Sequence, residues 1–158
     1  MNAPMPTLQG TLTDEVAAMV TFIKLLTREQ QALSTGDTEA LGPIGEEKAT
    51  LVDLLNLHGE QRNKQLAAAG LGADRVGMEA WLAANPKDAA VRQQWVRLKA
   101  CVNEARELNL LNGKLIALRL QANQQVLGAL LSSQNQSNLY GRDGQPTQLS
   151  GRRIIDAV

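Results

Sequence analysis

The sequence predicts an all-α fold: an elongated antiparallel three-helix bundle or coiled coil, with a short extra helix and a flexible C-terminal tail. Three observations lead there. Aromatic residues are 3% of the 158-residue chain, while Leu, Ala, Gln and Glu abound. That is the reverse of what strands built from aromatic and β-branched residues require. Apolar residues recur at spacings of three and four over long stretches. Gly36, the Gly70 to Gly72 segment and Asn85-Pro86 punctuate those stretches. A chain of this length makes one domain, able to bury about 70% of the surface it exposes when unfolded.

The first helix carries Leu12, Val16, Met19, Ile23, Leu26, Gln30 and Leu33, a heptad seam with one polar break. Thr11 or Thr13 caps its start, and Gly36 supplies the left-handed cap at its end. Asp37 opens the next helix at once, and so short a connection favours an antiparallel neighbour. The second helix spans Asp37 to about Ala69, with Pro43 in or near its first turn. Its apolar set, Leu41, Ile44, Leu51, Val52, Leu54, Leu55, Leu57 and Leu66, is broad enough for more than one neighbour. A short helix from Asp74 to Ala84, carrying Met78, Trp81 and Leu82, caps one bundle end before Asn85-Pro86.

The longest helix runs from about Lys87 to Leu131, uninterrupted by proline. Val91, Trp95, Leu98, Val102 and Ala105 keep one heptad register, after which the leucines shift to Leu108, Leu111, Leu115, Leu118 and Ala122, the step of a stammer. A second stripe, Ile116, Leu120, Leu127 and Leu131, runs beside them. Three helices, two of them shorter, cannot cover that much apolar surface. The spacing therefore predicts an exposed apolar groove late in this helix, to be filled by a partner helix, or else covered by a fourth segment or by a second copy in a weak homodimer. Asn112-Gly113, normally a turn signal, falls mid-helix at the shift and predicts a kink or a close approach by another backbone. From Ser132 the composition turns to Ser, Gln, Asn, Gly and Pro, so residues 1–132 form the bundle and 133–158 the tail.

Composition also excludes. Sixteen basic residues balance sixteen acidic ones, which removes the electrostatic footprint of a nucleic-acid binder. Met1 to Gly10 has neither a basic region nor an apolar core of a secretory signal. The uncharged stretch from Leu120 to Gly141 is too rich in Gln and Asn to insert into a membrane. A cytoplasmic location is expected. Cys101 and His58 are the sole residues of their types, so Cys/His zinc sites are ruled out, and Leu55 stands where a bundle di-iron motif needs Glu. Gly113-Lys114 lacks the upstream glycine of a phosphate loop. No cofactor, no metal and no catalytic group is expected.

Several segments resemble the FlgN-type flagellar export chaperones: Ile44-Gly45-Glu46-Glu47-Lys48 with Leu51; Leu108-Asn109, Asn112-Gly113 and Leu115-Ile116; Asn123-Gln124-Gln125 with Leu127; and Leu139-Tyr140-Gly141-Arg142-Asp143-Gly144-Gln145. The resemblance runs from about Leu12 to the basic end, and Gly70 to Pro86 carries no part of it. It implies a chaperone that binds C-terminal segments of the hook-filament junction proteins FlgK and FlgL, prevents their premature association and delivers them to the flagellar type III export apparatus, including the gate component FlhA. It implies transient recruitment to that membrane apparatus and no enzymatic step. Carried onto this chain, it makes Asn112, Gly113, Leu115, Ile116, Leu118, Leu120 and Leu127 the client-binding residues, and Tyr140 with Gly141 the export-gate contact. The reading from another class is a structural coiled-coil homodimer or adaptor, in which the same apolar side is a self-association seam.

Overall fold

A computed structural model describes residues 4–139. It contains α1 (Leu8–Thr35), α2 (Thr38–Ala68), α3 (Asp74–Ala84) and α4 (Ala89–Leu139), with no strand among the described residues. The fold is all-α, as predicted. The chain falls into two units, Met1–Ile116 and Ala117–Val158, so the division lies inside α4, upstream of the junction at 132/133 expected from composition. Ser133 to Leu139, expected to open the tail, continues the helix.

In the first unit, α1 begins a turn earlier than either expected cap. The Thr7 hydroxyl accepts the Gly10 N–H at 3.0 Å, and the added turn packs Leu8 against the core while Thr11 is buried instead of capping. Gly36 ends the helix at φ 79°, its N–H donating to the Ala32 carbonyl. The Asp37 carboxylate then caps α2 by accepting from Ala40 N–H at 3.3 Å. Pro43 lies in the second turn of α2, slightly deeper than the position where its missing N–H costs nothing.

Side-chain pairing fixes the topology. Arg62 of α2 meets Glu15 of α1, and Lys48 meets Glu29, so the two helices run antiparallel. Leu12 and Val16 share a core cluster with Val91, Trp95 and Leu98, and Asn112 reaches Leu26 and Glu29, so α4 runs parallel to α1. The result is an up-down-up bundle. Leu66 of α2 and Met78 of α3 complete the larger core cluster, and Leu25, Ala32 and Ile44 form a second one toward the α1–α2 turn. α2 has more than one neighbour, as expected: its Leu66 packs with α1, α3 and α4 residues in the larger core. Val52, Leu54 and Leu57 face solvent, because one bundle can bury only one side of the helix.

α3 occupies the predicted residues, and Gly77 shows why it can lie so close to the preceding loop. A Cβ at that position would sit 1.8 Å from the Gly72 carbonyl oxygen, so no larger residue fits without moving backbone.

Candidate functional site

The inward seam of α4 starts as read from the sequence, with Val91, Trp95, Leu98 and Ala105 buried and Val102 half-buried. It then takes the expected three-residue step to Leu108, but continues through Asn112 and Leu115 rather than Leu111. A polar side chain thus holds a seam position where a leucine was expected. Asn112 is 1% exposed. Its amide donates to the Leu26 carbonyl and to Glu29 Oε2, both at 2.9 Å. Glu29 also accepts from Lys48 Nζ at 3.1 Å, and Lys48 reaches Asn109 Oδ1 at 3.3 Å. One carboxylate therefore gathers side chains from all three long helices. Hydrophobic Leu111 at that register would leave Glu29 with Lys48 alone, and the buried acid selects the amide instead.

Placed individually, the predicted client-binding residues separate into two groups. Asn112 is enclosed by its own chain, so as a surface contact it is corrected to an internal tie between helices. Gly113 is exposed with nothing within 4 Å of a Cβ position, so the predicted close backbone approach is absent among the described residues. Leu115 is half-buried. Ile116, Leu118, Leu120 and Leu127 are open to solvent, at 48%, 62%, 58% and 58%. Tyr140 and Gly141 lie outside the described residues.

In the second unit every residue from Gln121 to Asn138 is exposed. Leu120, Leu127, Leu130 and Leu131 fall on one face by helical spacing, and Val126 adds to the exposed apolar set. What the sequence reading pictured as a groove is a bare helical face: a groove needs a second wall, and no described residue supplies one. Val126 and Leu130 were not among the candidate contacts, although Leu130 follows Leu127 by the three-residue step that marks a shared face. Titratable groups do not converge on this stretch, where Arg119 is the one charged residue between Ala117 and Leu139. Elsewhere, His58 is half-buried with its Nδ1 unpartnered, and Cys101 is half-buried.

A small helical bundle with polar ties between its helices and an uncovered apolar face on its longest helix defines a class of α-helical scaffold. Known proteins of that class share this chain's sequence over nearly its whole length. The profile described as FlgN protein matches residues 5–148, and the chain belongs to the FlgN family. Flagella synthesis protein FlgN of Escherichia coli K12 is 27% identical over 148 residues, covering 90% of this chain and 94% of that protein. The protein of the same name from Salmonella typhimurium LT2 is 30% identical over 144 residues, covering 89% and 91%. A crystal structure from Pseudomonas aeruginosa, also assigned to flagella synthesis protein FlgN, superposes with a TM-score of 0.60 at 25% identity, covering 84% of this chain and 98% of that one. Family membership places the chain in flagellar assembly. Among the described residues, no helix is long and apolar enough to cross a membrane.

Proposed function

We propose that this chain is a flagellar export chaperone: it binds the C-terminal segments of the hook-filament junction proteins FlgK and FlgL, keeps them from associating early and delivers them to the flagellar type III export apparatus. The observation that carries this reading is the uncovered apolar face of α4, with Leu120, Leu127, Leu130 and Leu131 all more than half exposed. A contiguous apolar face of this kind is costly to leave in water and marks a partner site. An amphipathic client helix laid along it buries both apolar faces at once. The client site on this reading is Leu115, Ile116, Leu118, Leu120 and Leu127, extended by Leu130 and Leu131. Gly113 leaves room for client backbone, and Asn112 positions the helix from inside. Tyr140 and Gly141 contact the export gate component FlhA. The chaperone works in the cytoplasm with transient recruitment to the membrane apparatus, and uses no cofactor and no covalent step.

Titrating the purified protein with the C-terminal peptide of FlgK tests the reading. The triple variant Leu120→Ser, Leu127→Ser, Leu131→Ser is expected to lose binding while its helical circular dichroism persists. Unchanged affinity in that variant defeats the proposed client face. A stable dimer by light scattering at micromolar concentration, with the same face hidden and no peptide binding, supports the coiled-coil homodimer instead. Tyr140→Ala is expected to leave peptide affinity intact and to reduce export of FlgK.

A further inference from the structure

A cavity of about 520 Å3 opens in the first unit. Its basic residues come from three helices: Arg62 from α2, Arg75 from α3, and Lys99 and Arg106 from α4. Glu15 and Asp74 are the acids in its lining, so cations outnumber carboxylates there by four to two. Two of the cations are committed. Arg62 pairs with Glu15 and stands 3.6 Å from Asp74, and Arg75 pairs with Glu79 at 2.8 Å. Lys99 and Arg106 have no carboxylate in ion-pair range among the described residues.

Trp95 lines the cavity. The Arg62 guanidinium lies 5.5 Å from the centre of its ring and the Lys99 ammonium 5.7 Å, so two cations converge on one indole. Arg62 and Trp95 are 8% and 6% exposed, and each keeps a buried N–H without a partner, Arg62 Nε and Trp95 Nε1. Buried donors are normally satisfied, and here two unmatched N–H groups lie beside the Lys99 and Arg106 cations of the lining. Leu98 and Val102 supply apolar wall.

We propose that this cavity is a carboxylate-binding site that takes an acidic side chain of a peptide segment whose neighbouring residues are apolar. Charge complementarity selects an anion. The apolar wall and a volume well beyond that of a single ion select a carboxylate borne on a larger, partly apolar body over a free ion. This site is independent of the client face on α4 and does not rest on the export reading.

The experiment is calorimetric titration of the full chain with Ac-Leu-Glu-Leu-Glu-Leu-NH2, with its Gln counterpart, with free glutarate and with inorganic phosphate. The Glu peptide is expected to bind saturably, and more weakly as salt rises. The Gln peptide is expected to bind at least roughly tenfold more weakly, as is the Glu peptide to a Lys99→Gln, Arg106→Gln variant, two partly exposed charge contacts being removed. Arg106→Gln alone changes an exposed residue and is expected to weaken binding about threefold, which keeps the test intact if the double variant unfolds. Arg92→Gln, exposed on α4 outside the cavity, is expected to change nothing. Equal binding of the Glu and Gln peptides, no saturable binding, or full affinity in the variants overturns the proposal. Glutarate or phosphate binding as tightly as the peptide overturns it in favour of a free-anion site.

Discussion

The two ends of α4 have the same helix geometry and opposite surroundings. Its first turns bury Val91, Trp95, Leu98 and Ala105, whereas nothing from Gln121 to Asn138 is buried. Hydrophobicity does not distinguish them, since Leu127, Leu130 and Leu131 are as apolar as Leu98. Length does: α4 has 51 residues against 28 in α1 and 31 in α2, and Gly36 turns the chain back before more partner helix can form. The packed region also carries what the bare one lacks, charges tied across helices. Glu15 with Arg62, and Glu29 with Lys48 and Asn112, fix which residues face each other. A buried polar group at a seam position specifies register at some expense of stability.

The largest expected effect comes from breaking one of those ties. Glu15→Ala leaves the buried Arg62 guanidinium with only the exposed Asp74 carboxylate at 3.6 Å, and the variant is expected to lose about 3 kcal/mol in urea unfolding. Replacing both, Glu15→Leu with Arg62→Met, is expected to recover most of that loss, because no uncompensated charge remains. If the single variant unfolds at the wild-type midpoint, the ion pair is not what holds the first unit in register.

The next effect compares one chemical change at the two ends of α4. Leu98 is 2% exposed, so Leu98→Ala opens a cavity and is expected to cost about 2–5 kcal/mol. Leu127→Ala, at a position already in water, is expected to stay within about 0.5 kcal/mol of wild type. A large loss at Leu127 means that a second copy or a segment outside residues 4–139 covers that face in solution. Light scattering and dilution then separate those two explanations.

Much of this contrast was legible in the sequence, and the exceptions share a cause. Heptad spacing located the helices, Gly36 and Asn85-Pro86 gave their boundaries, and α3 falls on the residues read for it. The excess of apolar residues late in α4 was also legible, because it follows from counting leucines against partner length. Long-range partners were not. Asn112 reads as half of a turn signal until Glu29, far away in sequence, is seen to need its amide. Thr7 caps α1 because Leu8 has core to reach. Gly77 carries no local signal at all, since what forbids a side chain there is the carbonyl of Gly72. The basic cavity escaped for the same reason: Arg62, Arg75, Lys99 and Arg106 come together only once three helices are assembled.

The smallest effect sharpens the contrast through pH. Glu79 and Arg75 are exposed and one turn apart on α3. The hydrogen bond from Arg75 holds the Glu79 carboxyl below its ordinary value of 4.5, with the charges of Arg75 and Lys99 adding to it. A carboxyl whose folded value is depressed stabilises the fold above its unfolded pKa, and that contribution disappears as pH falls through the folded value. Comparing thermal midpoints of wild type and Glu79→Gln from about pH 6 to about pH 3 should therefore show a small advantage for wild type that shrinks with acid. A difference that holds constant across the range means that the pair is not coupled to folding. Residues 117–139 contain no carboxylate or histidine to titrate there. Acid is thus expected to weaken the packed unit through the Arg75–Glu79 pair while residues 117–139 of α4 keep their own charge state.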